Sequence, residues 1–580
     1  MALLSTSAAY FRLALSLYMV LSLFTLLFAP AANALAYPPQ QPLGEDLAGV
    51  QSLFNTLDDL ANEADVSYAT GPLTRSTPLE TQQHLLSALR AMQEEYFVLW
   101  MGTWPTSIDW TAAVLGTHVA ATLSSFTSSV SELDKAPPEE KSFTALENTI
   151  NHFFSHTTTF YFGENAFSLR NQAYDDMLWV VLDWLENVKF QDLHSDLHYS
   201  SGGSSDNTTG EEWYGTQFRK SAAHRARIFW ELASTGWDKT LCNGGMIWNP
   251  TLIPYKNAIT NELYISASIA MYLYFPGDPI DAPFVATSTS NAPRKENPHN
   301  TTHLKAAVDA YAWLKNSNMT GIYGLYADGF HISGWQGSSN PGSQKCDVLN
   351  KMVFSYNQGV VLSGLRGLWL ATGSKSYLDD GHDLISKILR ATGWPQISSN
   401  KWAGLGRGGV MEDTCDSHAS CSQDGQTFKG IFFHHLTEFC RHLRPQEESF
   451  LASKKAPDVD HDWDEVYRQH LKKCRSYGTW IAHNARAALM TRDEKGKFGM
   501  WWGLPFNRAT VSDELVNSST LPEGAVDYIN DGATVDTKTS GPGVPRDFND
   551  RGRGRTVETQ SGGVAVLRAL LQWQTSEEAS

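Results

Sequence analysis

Basic residues are scarce in this sequence: 45 Lys and Arg stand against 62 Asp and Glu, leaving a formal charge of −17. A surface of that sign repels a polyphosphate backbone, which excludes nucleic acid as a partner. The short basic cluster Arg551, Arg553 and Arg555 lies in a Gly-rich stretch and is too small to reverse the field. Cysteine is also sparse, and no pair has the C-x-x-C spacing of zinc or redox sites. Sustained period-2 alternation is almost missing, which argues against a sheet-built core. The G-x-S-x-G elbow of α/β-hydrolases is absent. Gly404-Leu405-Gly406-Arg407-Gly408-Gly409 fits G-x-G-x-x-G. No strand precedes it and no ribose-binding acid is evident, so no dinucleotide is expected.

Long apolar runs are confined to the beginning. Arg12 precedes a run from Leu13 to Ala29, and Ala34-Leu35-Ala36 offers a small-residue cleavage site before Tyr37. Residues 1–36 are therefore expected to be a signal peptide, with an uncleaved anchor as the alternative and no membrane span after cleavage. N-x-S/T acceptors at Asn207, Asn300, Asn318 and Asn517 fit a secreted protein, extracellular or in a cell wall. In that compartment Cys242, Cys346, Cys415, Cys421, Cys440 and Cys474 read as disulfides. Cys415 and Cys421 are close enough for a small staple; the full pairing stays open.

What is abundant is helical period. It predicts helices near 45–62, 79–100, 108–131, 140–154, 170–189, 215–235, 257–274, 302–316, 347–372, 376–392, 428–443, 462–489 and 560–574. Thr235-Gly236, Thr372-Gly373 and Thr392-Gly393 each close such a run, where glycine suits a left-handed residue. Recurrent paired helices suggest an all-α ring of hairpins, an (α/α) toroid. The expected plan is an extension with one helix at 37–79, one catalytic domain at 80–574 with a long polar excursion at 508–554, and a polar tail at 575–580. Aromatics are plentiful, with 19 Trp, 21 Tyr and 27 Phe, a supply that suits either sugar faces or a large helical core.

Asn171–Glu186 is the segment most suggestive of chemistry. Tyr174, Met177, Leu178, Val181, Leu182 and Leu185 form one stripe while Trp179, Val180 and Trp184 cover the rest, so the helix is interior. Asp175 and Asp176 fall in its first turns, where the amide dipoles favour anions. Adjacent carboxylates repel, raising one pKa and supplying one ionised and one protonated acid. The competing reading is a helix cap at Asp175 with Asp176 solvated. His435, Glu438 and His442 share a helix face loosely, but H-x-x-E-x-x-x-H is not a metalloprotease spacing, and neither a metal nor any other cofactor is expected.

Six further stretches carry a likeness. They are Tyr174-Asp175-Asp176-Met177-Leu178-Trp179, Cys242 to Pro250 (CNGGMIWNP), Tyr255 to Glu262 (YKNAITNE), Gly324 to Gly329 (GLYADG), Tyr356-Asn357-Gln358-Gly359 and Cys421 to Gly430 (CSQDGQTFKG). Together they resemble glycoside hydrolase family 76, the α-1,6-mannanases, and in particular its fungal cell-wall branch. The likeness spans roughly residues 80–574. It implies a six-hairpin (α/α)6 barrel, with Asp175 as nucleophile and Asp176 as acid/base. Other residues have readings of their own: Lys256, Asn257, Asn261, Tyr356, Asn357 and Gln358 could hold sugar hydroxyls or merely cap and pack. Trp110 and Trp248 could stack on sugar, and Asp328 and Asp424 could bind sugar or cap turns.

The expected activity is endo-hydrolysis of α-1,6-mannosidic bonds in mannan, with retention and no cofactor, by a monomer. The runner-up is a transglycosylase acting on the mannose-bearing glycan of lipid-anchored proteins. An inactive mannan-binding protein is the third reading.

Overall fold

Thr77 starts the first helix by accepting from the Glu80 amide while the Glu80 carboxylate returns to the Thr77 amide, a reciprocal cap followed by Pro78 at the first helical position. In the computed structural model residues 76–133, 140–163, 173–199, 212–280, 295–321, 323–453, 463–504, 521–530 and 547–578 are described. The leader, the predicted helix at 45–62, Asn207, Asn517 and much of 508–554 lie outside them. The described residues belong to one compact unit, Ser67–Ser580.

The chain is mainly helical. Its α-helices are α1 (Pro78–Glu95), α2 (Asp109–Leu133), α3 (Glu140–Gly163), α4 (Tyr174–His198), α5 (Arg219–Ser234), α6 (Ala258–Tyr274), α7 (Thr301–Asn316) and α8 (Ser355–Thr372). They continue as α9 (Ser376–Ala391), α10 (Thr414–His418), α11 (Gln423–Cys440), α12 (Pro445–Ala452), α13 (Trp463–Arg475), α14 (Gly478–Leu489) and α15 (Val557–Glu578). Packing is cyclic: α2 lies against α4, α4 against α6, α6 against α8, α8 against α11, α11 against α15, and α15 against α2. Each has an outer companion: α3 on α2, α5 on α4, α7 on α6, α9 on α8, α13 on α11, and α1 and α14 on α15. Burial follows this division. Nearly every residue of α6, α8 and α11 is buried, as an interior helix requires, whereas α9 and α13 show one buried face. Among the described residues, no helix is long and apolar enough to cross a membrane.

Several boundaries differ from the sequence reading. The run at 347–372 divides into a strand and α8. That at 462–489 breaks between α13 and α14, and α15 extends to Glu578, into the supposed polar tail. The helix predicted at 428–443 begins at Gln423, because the Ser422 hydroxyl accepts from the Gly425 amide and caps it. Gly373 and Gly393 are left-handed, with φ of +77° and +84°. Gly236 is not; a Cβ there would stand 2.5 Å from the Tyr174 ring, so space rather than backbone conformation demands glycine.

Short strands, which alternation could not reveal, lie in the loops. β1 (Lys256–Asn257), β2 (Gly329–His331) and β3 (Val348–Asn350) form an antiparallel sheet with Asn257 opposite Gly329, and β4 (Gly406–Arg407) pairs with β5 (Val410–Met411). The G-x-G-x-x-G match is this last hairpin. Disulfides join Cys242 to Cys346, Cys415 to Cys421 and Cys440 to Cys474.

Candidate active site

The first turns of the cyclic helices meet at one end. The Trp110 indole in α2 donates to Asp424 Oδ1 in α11 at 2.8 Å, Thr111 donates to Glu558 of α15 at 3.1 Å, and Gln423 donates to the same Glu558 oxygen at 2.8 Å. Tyr356 of α8 stacks on Phe428 of α11 with ring centres 3.9 Å apart.

Asp175 and Asp176 sit here, in the first turn of α4. The helix is entered from Ala173, which has no side-chain cap; the Asp176 carboxylate accepts from the Ala173 amide instead. Asp175 therefore does not cap the helix. The Tyr174 amide donates to the Trp248 carbonyl at 2.8 Å, and the Trp248 amide donates to the Tyr255 carbonyl at 2.8 Å. These bonds dock the loop before β1 onto the start of α4. That loop carries the Trp248 indole to Asp175, which also accepts from the Asp176 amide at 3.2 Å.

The electrostatics depart from the sequence expectation in one respect. Burial, then the neighbouring Asp176 charge, pushes the Asp175 carboxyl well above the ordinary carboxylate range. Burial also lifts Asp176 to about 7, helped by Asp424 and Asp109. Both pKa values rise, not one, because desolvation acts on each carboxyl before their mutual repulsion does. The pair holds protons into the neutral range and can give or take one there, as proton transfer to a leaving oxygen requires.

Around the pair stand further acids. Asp328 accepts from the Tyr255 hydroxyl at 2.6 Å and from Asn350 Nδ2 at 3.2 Å, and burial lifts it to about 6. Burial also raises Asp424, against the Trp110 bond. The buried Tyr356 hydroxyl has its acidity suppressed by burial and then by Asp328, Asp175, Asp424 and Glu262. Trp110 is half-buried and stacks over Trp179 at 5.6 Å. Asn257, buried at the start of α6, has an unpartnered Oδ1, and neither amide atom of the buried Asn357 makes a well-formed hydrogen bond.

Three residues expected to hold sugar hydroxyls or to cap and pack have their polar groups engaged within the protein. Lys256 is fully buried, its ammonium donating to the carbonyls of Asp238, Gly244 and Gly245 and pairing with the Asp238 carboxylate at 3.2 Å. Asn261 accepts from the Met246 amide and donates to the Met246 and Asn257 carbonyls. Gln358 bonds the Tyr326 amide and carbonyl and the Phe354 carbonyl. Each is buried with its polar groups bonded to neighbouring backbone and, for Lys256, to the Asp238 carboxylate, so these residues shape the loops.

The chain is similar to several known proteins. A model of glycosyl hydrolase family 76 matches residues 294–486. Over that third of its length the chain is similar to glycosyl hydrolase family 76. It is 25% identical over 205 residues to the mannan endo-1,6-alpha-mannosidase DCW1 of Saccharomyces cerevisiae, a match covering 34% of this chain and 35% of that one. It is 24% identical over 202 residues to DFG5 of the same yeast, likewise a mannan endo-1,6-alpha-mannosidase, covering 34% of each. The match thus spans about a third of these relatives' length. Among solved structures it is similar to the GH76A alpha-1,6-mannanase of Salegentibacter sp. HEL1_6, at 16% identity and TM-score 0.44, covering 84% of this chain and 98% of that one. Dfg5 of Chaetomium thermophilum in complex with glucosamine gives 15% identity and TM-score 0.48, covering 87% and 92%.

The residue that sequence reading passed over is Glu262. It follows Asn261 in the quoted YKNAITNE stretch and lies fully buried, with neither carboxyl oxygen partnered. Burial raises its pKa well above the ordinary value, and its charge would act on Tyr326 and Tyr356. A lone acid within a helix that otherwise carries no charged residue was the available signal. The three residues on that loose helix face have separate partners: Glu438 pairs with Lys189, Arg441 and Arg568, His435 hydrogen-bonds Ser363, and His442 hydrogen-bonds Ser576. Among the described residues, the groups with metal-like geometry, His382–His470–Cys474 and Cys415–Asp416–Cys421, each include cysteine already in a disulfide.

Proposed function

We propose that this chain is an endo-acting α-1,6-mannosidase of mannan, built on an (α/α)6 barrel and working by retaining double displacement. The observation that carries the reading is the adjacent pair Asp175 and Asp176, set in the first turn of an interior helix beside Trp248 and held partly protonated by burial. The closed cycle of six helices, each with an outer companion, supports the barrel. The mannan endo-1,6-alpha-mannosidase activity of the yeast relatives supports the substrate.

In the first step an Asp175 carboxylate oxygen bonds the anomeric carbon as its bond to the departing O6 breaks, and Asp176 delivers its proton to that oxygen. In the second step Asp176 takes a proton from water, whose oxygen attacks the anomeric carbon and releases Asp175. The bonds to Asp175 suit this division: its own amide, the Asp176 amide and the Trp248 indole favour its anion, whereas Asp176 has the Ala173 amide. Burial opposes ionisation of Asp175, so the pair shares a proton that must reside on Asp176 when attack begins. The chain is further proposed to be secreted, N-glycosylated and monomeric, with Asn300 and Asn318 as described acceptors.

The test uses linear α-1,6-mannan oligosaccharides. Asp175→Asn and Asp176→Asn should each lower turnover by roughly 10²-fold or more, with folding retained. A substrate whose leaving group needs no proton should rescue the first step in Asp176→Asn and not in Asp175→Asn. Near-normal turnover in both variants would remove the pair from catalysis, and a reversed rescue pattern would exchange the roles. Products longer than the input would replace hydrolysis by sugar transfer.

A further inference from the structure

Two loops on the site's own face end in outward-facing apolar side chains that sugar cleavage does not use. Leu99, Trp100 and Met101 are 55%, 85% and 38% exposed, and Leu252 and Ile253 are 55% and 65% exposed. Both tips are built firmly. Around the first, the Val98 amide donates to the Thr103 carbonyl, and the Met101 and Gly102 amides return to the Val98 carbonyl, each at 2.9 Å. Gly102 turns the chain with φ +69°, while Phe97 and Trp104 bury the base. Around the second, Asn249 Oδ1 accepts from the amides of Thr251 and Leu252 at 2.9 and 3.2 Å, between Pro250 and Pro254. Such turns hold the apolar groups outward; they have not simply failed to collapse.

Position gives the tips meaning. The first leads into α2 and is tied to the site by Gln423, which donates to the Thr106 carbonyl at 2.5 Å. The second follows Trp248, whose backbone holds the start of α4, and leads through Tyr255 into α6. Both tips thus lie on loops that enter α2 and α6, the two helices that pack on α4, at the end where α4 carries Asp175 and Asp176. Residues 96–108 and 241–255 contain no Asp, Glu, Lys or Arg, in a chain of net charge −17.

We propose that these tips are an interfacial anchor that seats the mouth of the site on an uncharged, zwitterionic lipid bilayer surface. Aliphatic Leu, Ile and Met offer a mannose hydroxyl no hydrogen bond. Two small tips fall well short of the roughly 1,200 Å² that a stable protein partner buries. A bilayer accepts isolated protruding apolar groups, with Trp favoured at the headgroup level. Without a basic patch there is no attraction to anionic lipid, which the net negative charge would repel. Combined with the proposed mannosidase activity, on which this consequence rests, glycans presented at a bilayer come within reach of the pair.

The full chain is floated with phosphatidylcholine vesicles, alongside a Leu99→Ser/Trp100→Ser/Met101→Ser variant and a Leu252→Ser/Ile253→Ser variant. The unsubstituted protein is expected to float, and each variant to lose roughly tenfold or more in partitioning. Circular dichroism and turnover of a soluble α-1,6-mannooligosaccharide should be unchanged in both. A protein that stays with the buffer, or variants that float equally well, would overturn the anchor. So would light scattering showing that the substitutions dissociate a dimer. Inactivity of the unsubstituted protein on the soluble substrate would count against the mannosidase alone.

Discussion

Lys256 shows how a residue next to a site serves it from behind. Its ammonium gathers three carbonyls and the Asp238 carboxylate, although burial lowers its own pKa to about 8. With Asn261 clasping Met246 from the other side, it sets the loop on which Trp248 is delivered to Asp175. Lys256→Met leaves several buried carbonyls unmet, and the expected loss is about 1–3 kcal/mol of stability. Thermal unfolding beside mannan kinetics checks this. A raised KM in a protein of unchanged stability would return Lys256 to the sugar. Residue identity alone could not separate the two roles, since an ammonium suits carbonyls and hydroxyls equally.

The cyclic helices are chemically polarised along their length. Their first turns bear Asp109, Asp175, Asp176, Asp424 and Glu558, and Glu262 lies just inside α6. The far halves of α4, α8 and α15 bear Lys189, Arg366 and Arg568, and Arg441 follows the last residue of α11. Aligned amide dipoles favour this order, anions at the amino ends and cations towards the carboxyl ends. The far cluster is knotted by Glu438, which bonds Lys189 and Arg441 at 2.8 Å and Arg568 at 2.5 Å and is held well below the ordinary carboxylate range by those cations against burial. Glu438→Gln leaves buried cations uncompensated and should destabilise by about 3–5 kcal/mol. Denaturant unfolding measures it; a loss under 1 kcal/mol would mean that the remaining carboxylates suffice.

For the molecule as a whole the acid end dictates how pH acts. Asp176 has a folded pKa of about 7, above that of an exposed carboxyl, so between about pH 4 and 7 the folded state binds the extra proton. Stability contributed by that proton is fully present below the unfolded pKa and is lost as pH rises through the folded one. Asp176→Asn should therefore unfold with a flatter pH dependence across this window than the unsubstituted protein. On the proposed mechanism, turnover should also fall above about pH 7 as the acid is lost. Parallel thermal melts and kcat/KM profiles test both. A variant whose stability keeps the original slope would assign the proton elsewhere in the acid cluster.

Composition and helical period determined the mainly helical class. The apolar collar around Asp175 and Asp176 marked α4 as interior, and the ordered motifs supplied the family likeness; all of these are local patterns that adjacent residues impose. The closed cycle of neighbours, the strands β1 to β3 and the pairing of Cys242 with Cys346 were not legible, because each depends on segments far apart in sequence. Tertiary structure alone sorted Lys256, Asn261 and Gln358, whose partners are backbone atoms of other loops, from Trp248, which reaches Asp175. It alone also raised both carboxyls of the pair, since desolvation comes from everything packed around a group and not from the residue beside it.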